Sequence, residues 1–424
     1  MPRPVLLALS DSLSTDSNLA GPKAANLAAL SAAGLPTPGG VCITAAAYER
    51  QIDHLGLEQL IRDFADADPI QQRRLSVEIR LKFHQGEIAP DLAPAIQAAW
   101  RSGPRPLAVR SSALIEDRAN SSFAGQFQSF LGISDEAEFL TALRACWAAL
   151  WTTTARRAIA QQGTSPAETA MAVLVQPLVA AIASGGGLSE TADGHMLIGA
   201  TWGLGSAIAQ GQIVPDRIVL SRAGFVRTIQ SGRKRHRETC SFHAGLVTEP
   251  VSDGFASKPC LEPGQAVVLG RLIRKAENAM RMPVEIEWAL DEAGFKLLQA
   301  RRLRVGPTAV PDEIWLKHPG LNGHPAGVGW SCGRAVVVNC ECELSRVAPG
   351  DILVTRVAGP ALNHVLPRVG GVVAELGGST SHLASLARER GIPMVLGVLD
   401  ATERIPDGVQ VAVDGVAGIV RWVA

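Results

Sequence analysis

The residues of this 424-residue chain that are best placed to do chemistry surround His382. This histidine follows the paired glycines Gly377 and Gly378 and three hydroxyl residues, and the apolar positions after it predict a helix that ends at Gly391. Glycines let backbone N–H groups turn toward a ligand, hydroxyl side chains cap a helix, and the positive end of the helix dipole favours a phosphoryl group. The same dipole disfavours imidazolium, so we expect a neutral, nucleophilic imidazole near pH 7. The alternative is an ordinary structural histidine.

A second group of residues suits a polyphosphate. Arg110 and two serines precede a glycine-containing segment that runs to Phe127, which combines a cation, hydroxyl donors and bare backbone. Upstream, Lys23 follows Gly21 near a predicted helix start. Taken alone, that lysine is more simply interpreted as a solvated helix cap.

A third group has the ligand chemistry of a hard cation. Acidic and apolar residues alternate over 283–289, so Glu285 and Glu287 emerge on one face of a predicted strand. The segment around Gln299 and Arg301 predicts the partner strand of a hairpin. Oxygen ligands beside an arginine can hold Mg²⁺ and neutralise a transferring phosphate. The alternative is an acidic hairpin that faces water.

The motif around His382 resembles a known signature. Thr-Ser-His at 380–382, followed by Arg-Glu-x-Gly-Ile-Pro at 388–393, is similar to the phosphohistidine motif of the mobile domain of pyruvate phosphate dikinase, phosphoenolpyruvate synthase and rifampin phosphotransferase. Further blocks at 327–335, 349–355 and 413–415 follow the same family pattern in the same order. The resemblance implies that His382 carries a phosphoryl group.

The amino-terminal motifs resemble the ATP-grasp domain of the same enzyme group. The resemblance implies that Lys23 and Arg110 bind phosphate, that Arg301 is a catalytic residue contacting the reacting phosphates, and that Glu287 and Gln299 ligate Mg²⁺. It further implies that these residues form the ATP site together with Gly125 and Ser129 in the loop covering the nucleotide and Gln176 in the strand lining the adenine pocket.

Composition narrows the class of protein. Forty basic and forty acidic residues balance, so nothing points to nucleic acid or an anionic membrane surface. No apolar run is long enough to span a bilayer or to form a signal peptide, and we expect a cytoplasmic enzyme. Among seven cysteines, Cys332, Cys340 and Cys342 lie close together, but they lack a C-x-x-C pair and flank a predicted strand. We therefore expect buried or edge-strand thiols there rather than a metal site.

The order of these motifs predicts the domain organisation and an α/β (α+β) fold class. Apolar helical runs alternate with short β-branched segments over 1–305, as expected for an ATP-grasp domain. Residues 306–325 are rich in glycine, proline and an Asn-Gly pair, and we predict that they form a linker. Short valine-rich segments surround the His382 helix and predict strands over 335–339, 351–355, 371–374 and 409–413. They predict a swivelling β/β/α phosphohistidine domain over 326–424.

The resemblance implies a dikinase-type phosphotransferase that loads His382 from ATP and releases AMP and phosphate. Full-length relatives add an acceptor-binding domain, for which we find no room. We therefore expect a separate acceptor-binding subunit, as in a split phenylphosphate-synthase-like enzyme, and a small hydroxyl acceptor such as an aromatic alcohol, a phenol or pyruvate. One alternative is a phosphocarrier or regulatory protein without a small-molecule product. Another is a self-contained kinase of a small metabolite or antibiotic, against which the poor apolar content of the linker argues.

Overall fold

The computed structural model of the chain describes residues 3–116, 127, 129–241, 245–306 and 313–423. They divide into two compact units. Unit 1 comprises Met1–Val179, Cys240–Val247 and Lys296–Arg301, and unit 2 comprises Ala180–Thr239, Thr248–Phe295 and Arg302–Ala424.

Unit 1 is built on a five-stranded antiparallel sheet in the order β1-β2-β5-β3-β4. Its strands are β1 (Leu6–Ala8), β2 (Val41–Ile43), β3 (Leu107–Ala113), β4 (Ser129–Ile133) and β5 (Met171–Pro177). Its helices are α1 (Ser17–Ala32), α2 (Ala45–His54), α3 (Glu58–Asp66), α4 (Pro69–Gln85), α5 (Ala93–Trp100), α6 (Glu136–Ala148) and α7 (Thr153–Ala160). Both central strands, β3 and β5, are buried almost throughout because α1 and α6 pack against them. The sequence of β5 is accordingly almost entirely apolar, whereas Arg110, Ser111 and Ser112 interrupt the apolar run of β3.

Unit 2 begins with a sheet in which β12, β6, β7, β8 and β9 are antiparallel neighbours in that order. The elements of this part of the chain are β6 (Ala183–Leu188), β7 (His195–Trp202), α8 (Ser206–Ala209), β8 (Asp216–Ser221), β9 (Val226–Gln230), β10 (His236–Ser241), β11 (Gly245–Pro250), α9 (Asp253–Ala256), α10 (Pro263–Met280) and β12 (Val284–Asp291). Of these, the end of β10 and the start of β11 fall within Cys240–Val247, which belongs to unit 1. The next strand is β13 (Gly294–Arg302), whose residues 296–301 belong to unit 1.

Helix α10 covers one face of this sheet, packing on β7, β8, β9 and β12. The glycines of β6 show which residues face it. A Cβ added to Gly187 would lie 2.7 Å from Ile273 of α10, whereas one added to Gly186 would lie 2.5 Å from Thr380. Successive residues of a strand point to opposite faces. The face opposite α10 is therefore occupied by the segment that leads into the His382 helix.

The rest of unit 2 contains an eight-stranded sheet in the order β14-β21-β20-β16-β17-β18-β19-β15, with a parallel centre from β16 to β19. Its elements are β14 (Gly320–Asn322), β15 (His324–Pro325), β16 (Trp330–Val338), β17 (Ile352–Thr355), β18 (Gly371–Ala374), α11 (His382–Arg390), β19 (Met394–Leu396), α12 (Ala401–Arg404), β20 (Gln410–Asp414) and β21 (Ile419–Trp422). Leu353 packs with Leu383 of α11, while Ile352 and Val354 belong to a separate core. The parallel strands are thus buried on both faces, and the mixture of helices and sheets confirms the α+β prediction.

Two short stretches of the predicted linker 306–325 form strands. Strand β14 pairs with β21, β15 pairs with β19, and Leu321 is buried. Residues 307–312 lie outside the described part of the chain. The two short strands cover edges that would otherwise present unpaired N–H and C=O groups.

The prediction of thiols at Cys340 and Cys342 is wrong. Cys340 and Cys342 form a disulfide, whereas we expected thiols, and Cys332 is a free, exposed thiol. Cys340 precedes a short 3-10 helix, Glu341–Arg346, which contains Cys342. No helix in the described ranges is long and apolar enough to cross a membrane.

Candidate active site

The segment that carries Lys23 is shaped by Gly21. Within α1, Gly21 has φ 70° and ψ 161°, and an added Cβ would lie 2.2 Å from the carbonyl oxygen of Ser112. Only glycine fits this close approach in the left-handed region. Pro22 then starts a second helical stretch, where the N–H it lacks would have no partner within the helix. Lys23 consequently lies in the first turn after the kink.

The ammonium of Lys23 is held beside β3. It donates a hydrogen bond of 2.9 Å to the carbonyl oxygen of Ser111 and lies 2.9 Å from Oε2 of Glu116. The side chains of Lys23 and Glu116 are only 15% and 8% exposed. A phosphate that binds Lys23 would therefore compete with Glu116 for hydrogen bonds from the lysine ammonium.

Arg110, on β3, reaches two residues of β13. One guanidinium nitrogen donates to the carbonyl oxygen of Leu298 and the other to Oε1 of Gln299, both at 3.0 Å. Asn26 of α1 donates to the carbonyl oxygen of Ala300, also at 3.0 Å. Unit 1 therefore brings together three predicted nucleotide-site residues, Lys23, Arg110 and Gln299, from α1, β3 and β13. Arg301 is half-buried two positions after Gln299, on the same face of β13.

The remaining predicted residues of unit 1 are less closely tied to this group. Ser129 is exposed at the start of β4, directly opposite Arg110 in the strand register. Gln176 is buried on β5, and its amide nitrogen donates a 2.7 Å hydrogen bond to the carbonyl oxygen of Gly39. Gly125 lies outside the described residues.

His382 is the first residue of α11, as predicted. The hydroxyl of Ser381 accepts a hydrogen bond of 3.2 Å from the backbone N–H of Ala384, which caps the helix. The helix ends at Gly391, whose φ of 70° is left-handed. His382 is half-buried, so its imidazole is presented at the positive end of the helix.

The strand register relates His382 to the predicted metal ligand Glu287. Glu287 of β12 is directly opposite Gly186 of β6, and side chains of directly opposite residues share a face of the sheet. That face is where a Cβ on Gly186 would meet Thr380. Thr380 precedes His382 by two residues. Within unit 2, Glu287 therefore faces the side of the sheet on which the loop into α11 lies.

Sequence reasoning did not anticipate the pairing of Glu116 with Lys23 or the close approach of Thr380 to the glycines of β6. A signal for the glycines was present: glycine weakens a strand interior and often marks a close approach of other backbone or of a ligand. Among the residues that the structure describes, no group of three or more His, Cys, Asp or Glu is placed to hold a metal ion.

Two family models match the chain. Residues 17–315 match the AMP/ATP-binding domain of pyruvate phosphate dikinase, and residues 347–418 match the mobile domain of PEP-utilising enzymes. The first match contains every predicted nucleotide and metal residue, and the second contains His382.

Three relatives that match nearly the whole chain are named as phosphoenolpyruvate synthases or probable ones. The probable phosphoenolpyruvate synthase of Methanothermobacter thermautotrophicus is 30% identical over 96% of this chain and 61% of its own length. The phosphoenolpyruvate synthase of Aeropyrum pernix is 31% identical over 95% of this chain and 56% of its own length. The phosphoenolpyruvate synthase of Escherichia coli is 28% identical over 93% of this chain and 54% of its own length. The chain thus spans less than two thirds of these relatives.

Proposed function

Because the chain belongs to the pyruvate phosphate dikinase and phosphoenolpyruvate synthase family of ATP-dependent phosphotransferases, we propose that ATP phosphorylates His382 and that an acceptor then takes the phosphoryl group. The observation that carries the proposal is the contact of Thr380 with Gly186, opposite Glu287 on β12. It brings the segment of the phosphoacceptor histidine to the strand of a proposed magnesium ligand.

The proposed loading step is an attack of the neutral imidazole on the β-phosphorus of ATP. The new bond joins a ring nitrogen to that phosphorus, the bond to the α,β-bridging oxygen breaks, and AMP leaves. Water then removes the terminal phosphoryl group as phosphate, which leaves one phosphoryl group on His382. The attacking and reacting atoms must approach to about 3–3.5 Å, so loading requires the histidine to be docked at the nucleotide.

The roles proposed for the unit 1 residues follow from their charge and hydrogen-bonding groups. Lys23 and Arg110 bind phosphate oxygens, and Arg301 neutralises charge on the transferring group. The contact of Arg110 with Gln299 holds the guanidinium in one orientation before ATP arrives. Ser129, Gln176 and Gly125 complete the proposed nucleotide site.

Enzymes of this family use Mg²⁺ with ATP, and the donor set of this chain fits that ion. Glu287 supplies a carboxylate and Gln299 an amide oxygen, which are hard ligands. Magnesium commonly takes only one or two protein ligands and completes its shell with water and substrate phosphates. When bound, the ion would neutralise charge on the transferring phosphate.

We retain 1–305 and 326–424 as the proposed nucleotide and phosphohistidine domains, joined by 306–325. In the proposed cycle, the second domain leaves the nucleotide after loading and carries the phosphoryl group to the acceptor.

Labelling with ATP radiolabelled in the β position tests the loading step. We expect acid-labile label on the wild-type chain, release of AMP and phosphate, and no label when the γ position carries the isotope. His382→Ala should take up no label, while His364→Ala, at an exposed histidine of the same domain, should behave as wild type. Release of ADP together with label from the γ position would contradict the proposal.

The acceptor is proposed to be a small hydroxyl compound held by a partner subunit. Labelled protein, freed of nucleotide, can be incubated with pyruvate or phenol, with and without proteins that co-purify with the native chain. Transfer of label to the compound only when the partner is present supports a subunit of a phosphotransferase. Transfer to a protein alone would favour the phosphocarrier alternative.

A further inference from the structure

A buried ion pair joins α11 to β12 within unit 2. The hydroxyl of Ser385 donates a 2.8 Å hydrogen bond to Oε2 of Glu285, and a guanidinium nitrogen of Arg388 lies 3.0 Å from Oε1. The side chains of Glu285 and Arg388 are only 6% and 7% exposed. A second nitrogen of Arg388 donates to the carbonyl oxygens of Ser379 and Ala326, so this arginine also holds the segment before the helix.

Beside this ion pair, two glycines of neighbouring strands leave a slot in the surface of the sheet. Gly186 and Gly199 are register partners on β6 and β7, and both face Thr380. An added Cβ would lie 2.5 Å from Cβ of Thr380 at Gly186, and 2.6 Å from its Oγ1 at Gly199. Neither glycine has a left-handed backbone. Their conformation would therefore accept alanine, and the feature that excludes it is Thr380.

We infer that this ion pair and this slot form the docking site of the phosphohistidine segment. Glu285 acts there as a positioning residue for His382 and not as a metal ligand. The inference rests on the proposed function and adds the contacts that set where His382 stands when it is loaded. His382 and Ser385 are three positions apart and lie on one side of α11, so the bond of Ser385 to Glu285 orients the helix face that carries the histidine.

The chemistry of the pair suits docking that is reversible. A buried ion pair gains little net free energy, because both charges lose their hydration, but it strongly penalises any arrangement that leaves one charge buried alone. If α11 leaves the sheet, water can solvate both Glu285 and Arg388. The ion pair therefore favours one docked position of α11 without preventing the helix from undocking.

Hydrogen exchange tests the docking site without depending on catalysis. The reporter is the amide of Gly377, which donates a 2.9 Å hydrogen bond to the carbonyl oxygen of Ile213. In Gly186→Ala, exchange of this amide should accelerate on the order of tenfold or more, because the added methyl clashes with Thr380. Peptides over 352–355 should be unchanged. Gly264→Ala is the matched control, since a Cβ there meets nothing within 4 Å.

Unchanged exchange in Gly186→Ala would overturn the inference whatever the enzyme does. Faster exchange in both the reporter and 352–355 would mean that the whole domain is loosened, which also contradicts a docking slot.

Loading kinetics give a second, independent test. Glu285→Gln and Arg388→Gln should each slow single-turnover labelling of His382 on the order of tenfold or more, with ATP affinity unchanged. The loss in the double variant should be smaller than the sum of the two single losses, because the contact between Glu285 and Arg388 is lost in both single variants. Arg390→Gln, on the same helix, is the charge-matched control. Additive losses, or wild-type rates in the single variants, would refute the pair as a docking contact.

The two experiments separate this inference from the proposed function. If the wild-type chain takes up no label, the function proposal fails while the exchange of Gly377 still decides the docking site. If it labels normally and Gly186→Ala labels equally fast with unchanged exchange, the docking inference alone fails.

Discussion

Acidification should destabilise unit 2 through His324, the first residue of β15. The pKa of this imidazole is lowered from its ordinary value of 6.5 to about 4, mainly by burial and also by the positive charges of Arg217 and Arg233, which Asp216 partly opposes. The imidazole lies next to the loop before α11, since a Cβ on Gly378 would be 3.5 Å from its Nδ1. The native state therefore holds His324 neutral where the unfolded chain would protonate it.

The direction and size of this pH effect on the free energy of unfolding follow from proton linkage. Between about pH 6.5 and pH 4 the unfolded chain binds this proton and the native state does not, so stability is complete above pH 6.5 and falls as the pH drops toward 4. At 1.36 kcal/mol for each pKa unit, the full difference is about 3 kcal/mol, of which about 2 kcal/mol is lost by pH 5. Because solvent reaches part of this residue, we expect about 1–2 kcal/mol at pH 5.

The assay compares urea unfolding of the wild type and of His324→Gln at about pH 7.5 and pH 5. Glutamine keeps a polar side chain of similar size that does not titrate. The wild type should lose about 1–2 kcal/mol more than the variant over this range. His364→Gln, at an exposed histidine, should follow the wild type. Equal pH dependence in His324→Gln and wild type, or an imidazole that titrates near pH 6.5 by NMR, would refute the reasoning.

Three further predictions concern single substitutions. Gly21→Ala should destabilise unit 1 by about 1–3 kcal/mol in thermal unfolding, because the left-handed backbone and the nearby carbonyl of Ser112 exclude a side chain. Asp216→Asn should destabilise unit 2 by about 3–5 kcal/mol in urea, because it leaves the fully buried ammonium of Lys234 without its charge partner. Arg110→Lys should slow ATP-dependent labelling about tenfold, because an ammonium cannot hold both carbonyl groups that the guanidinium contacts.

Local signals predicted much of the fold. The predicted strands 335–339, 351–355, 371–374 and 409–413 correspond to β16, β17, β18 and β20, and the helix that begins at His382 ends before Gly391 as expected. These elements are short apolar runs bounded by turn residues, or a helix with a hydroxyl cap and a terminal glycine. Such signals lie in neighbouring residues, so these elements could be recognised without knowledge of distant contacts. The start of β16 at Trp330 could not, because residues 330–334 pair with the distant strand β20.

Contacts between distant residues could not be predicted in the same way. Strand periodicity places Glu285 and Glu287 on one face, but it cannot say that α11, a hundred residues later, lies over that face. It also cannot say that Arg110 meets Gln299, 189 residues away. Two short edge strands were hidden by turn-rich composition, because β14 and β15 gain their stability from partners β21 and β19 and not from their own residues.

The division of labour between the two acids of β12 gives a last prediction. Glu285 faces Arg388 and Ser385, whereas Glu287 is opposite Gly186, which the Thr380 segment approaches. In Glu287→Gln, the Mg²⁺ concentration for half-maximal labelling should therefore rise about tenfold or more, because a carboxylate ligand is lost. In Glu285→Gln, that concentration should stay the same while the labelling rate falls. Equal shifts of the magnesium dependence in both variants would show that the two carboxylates share one role.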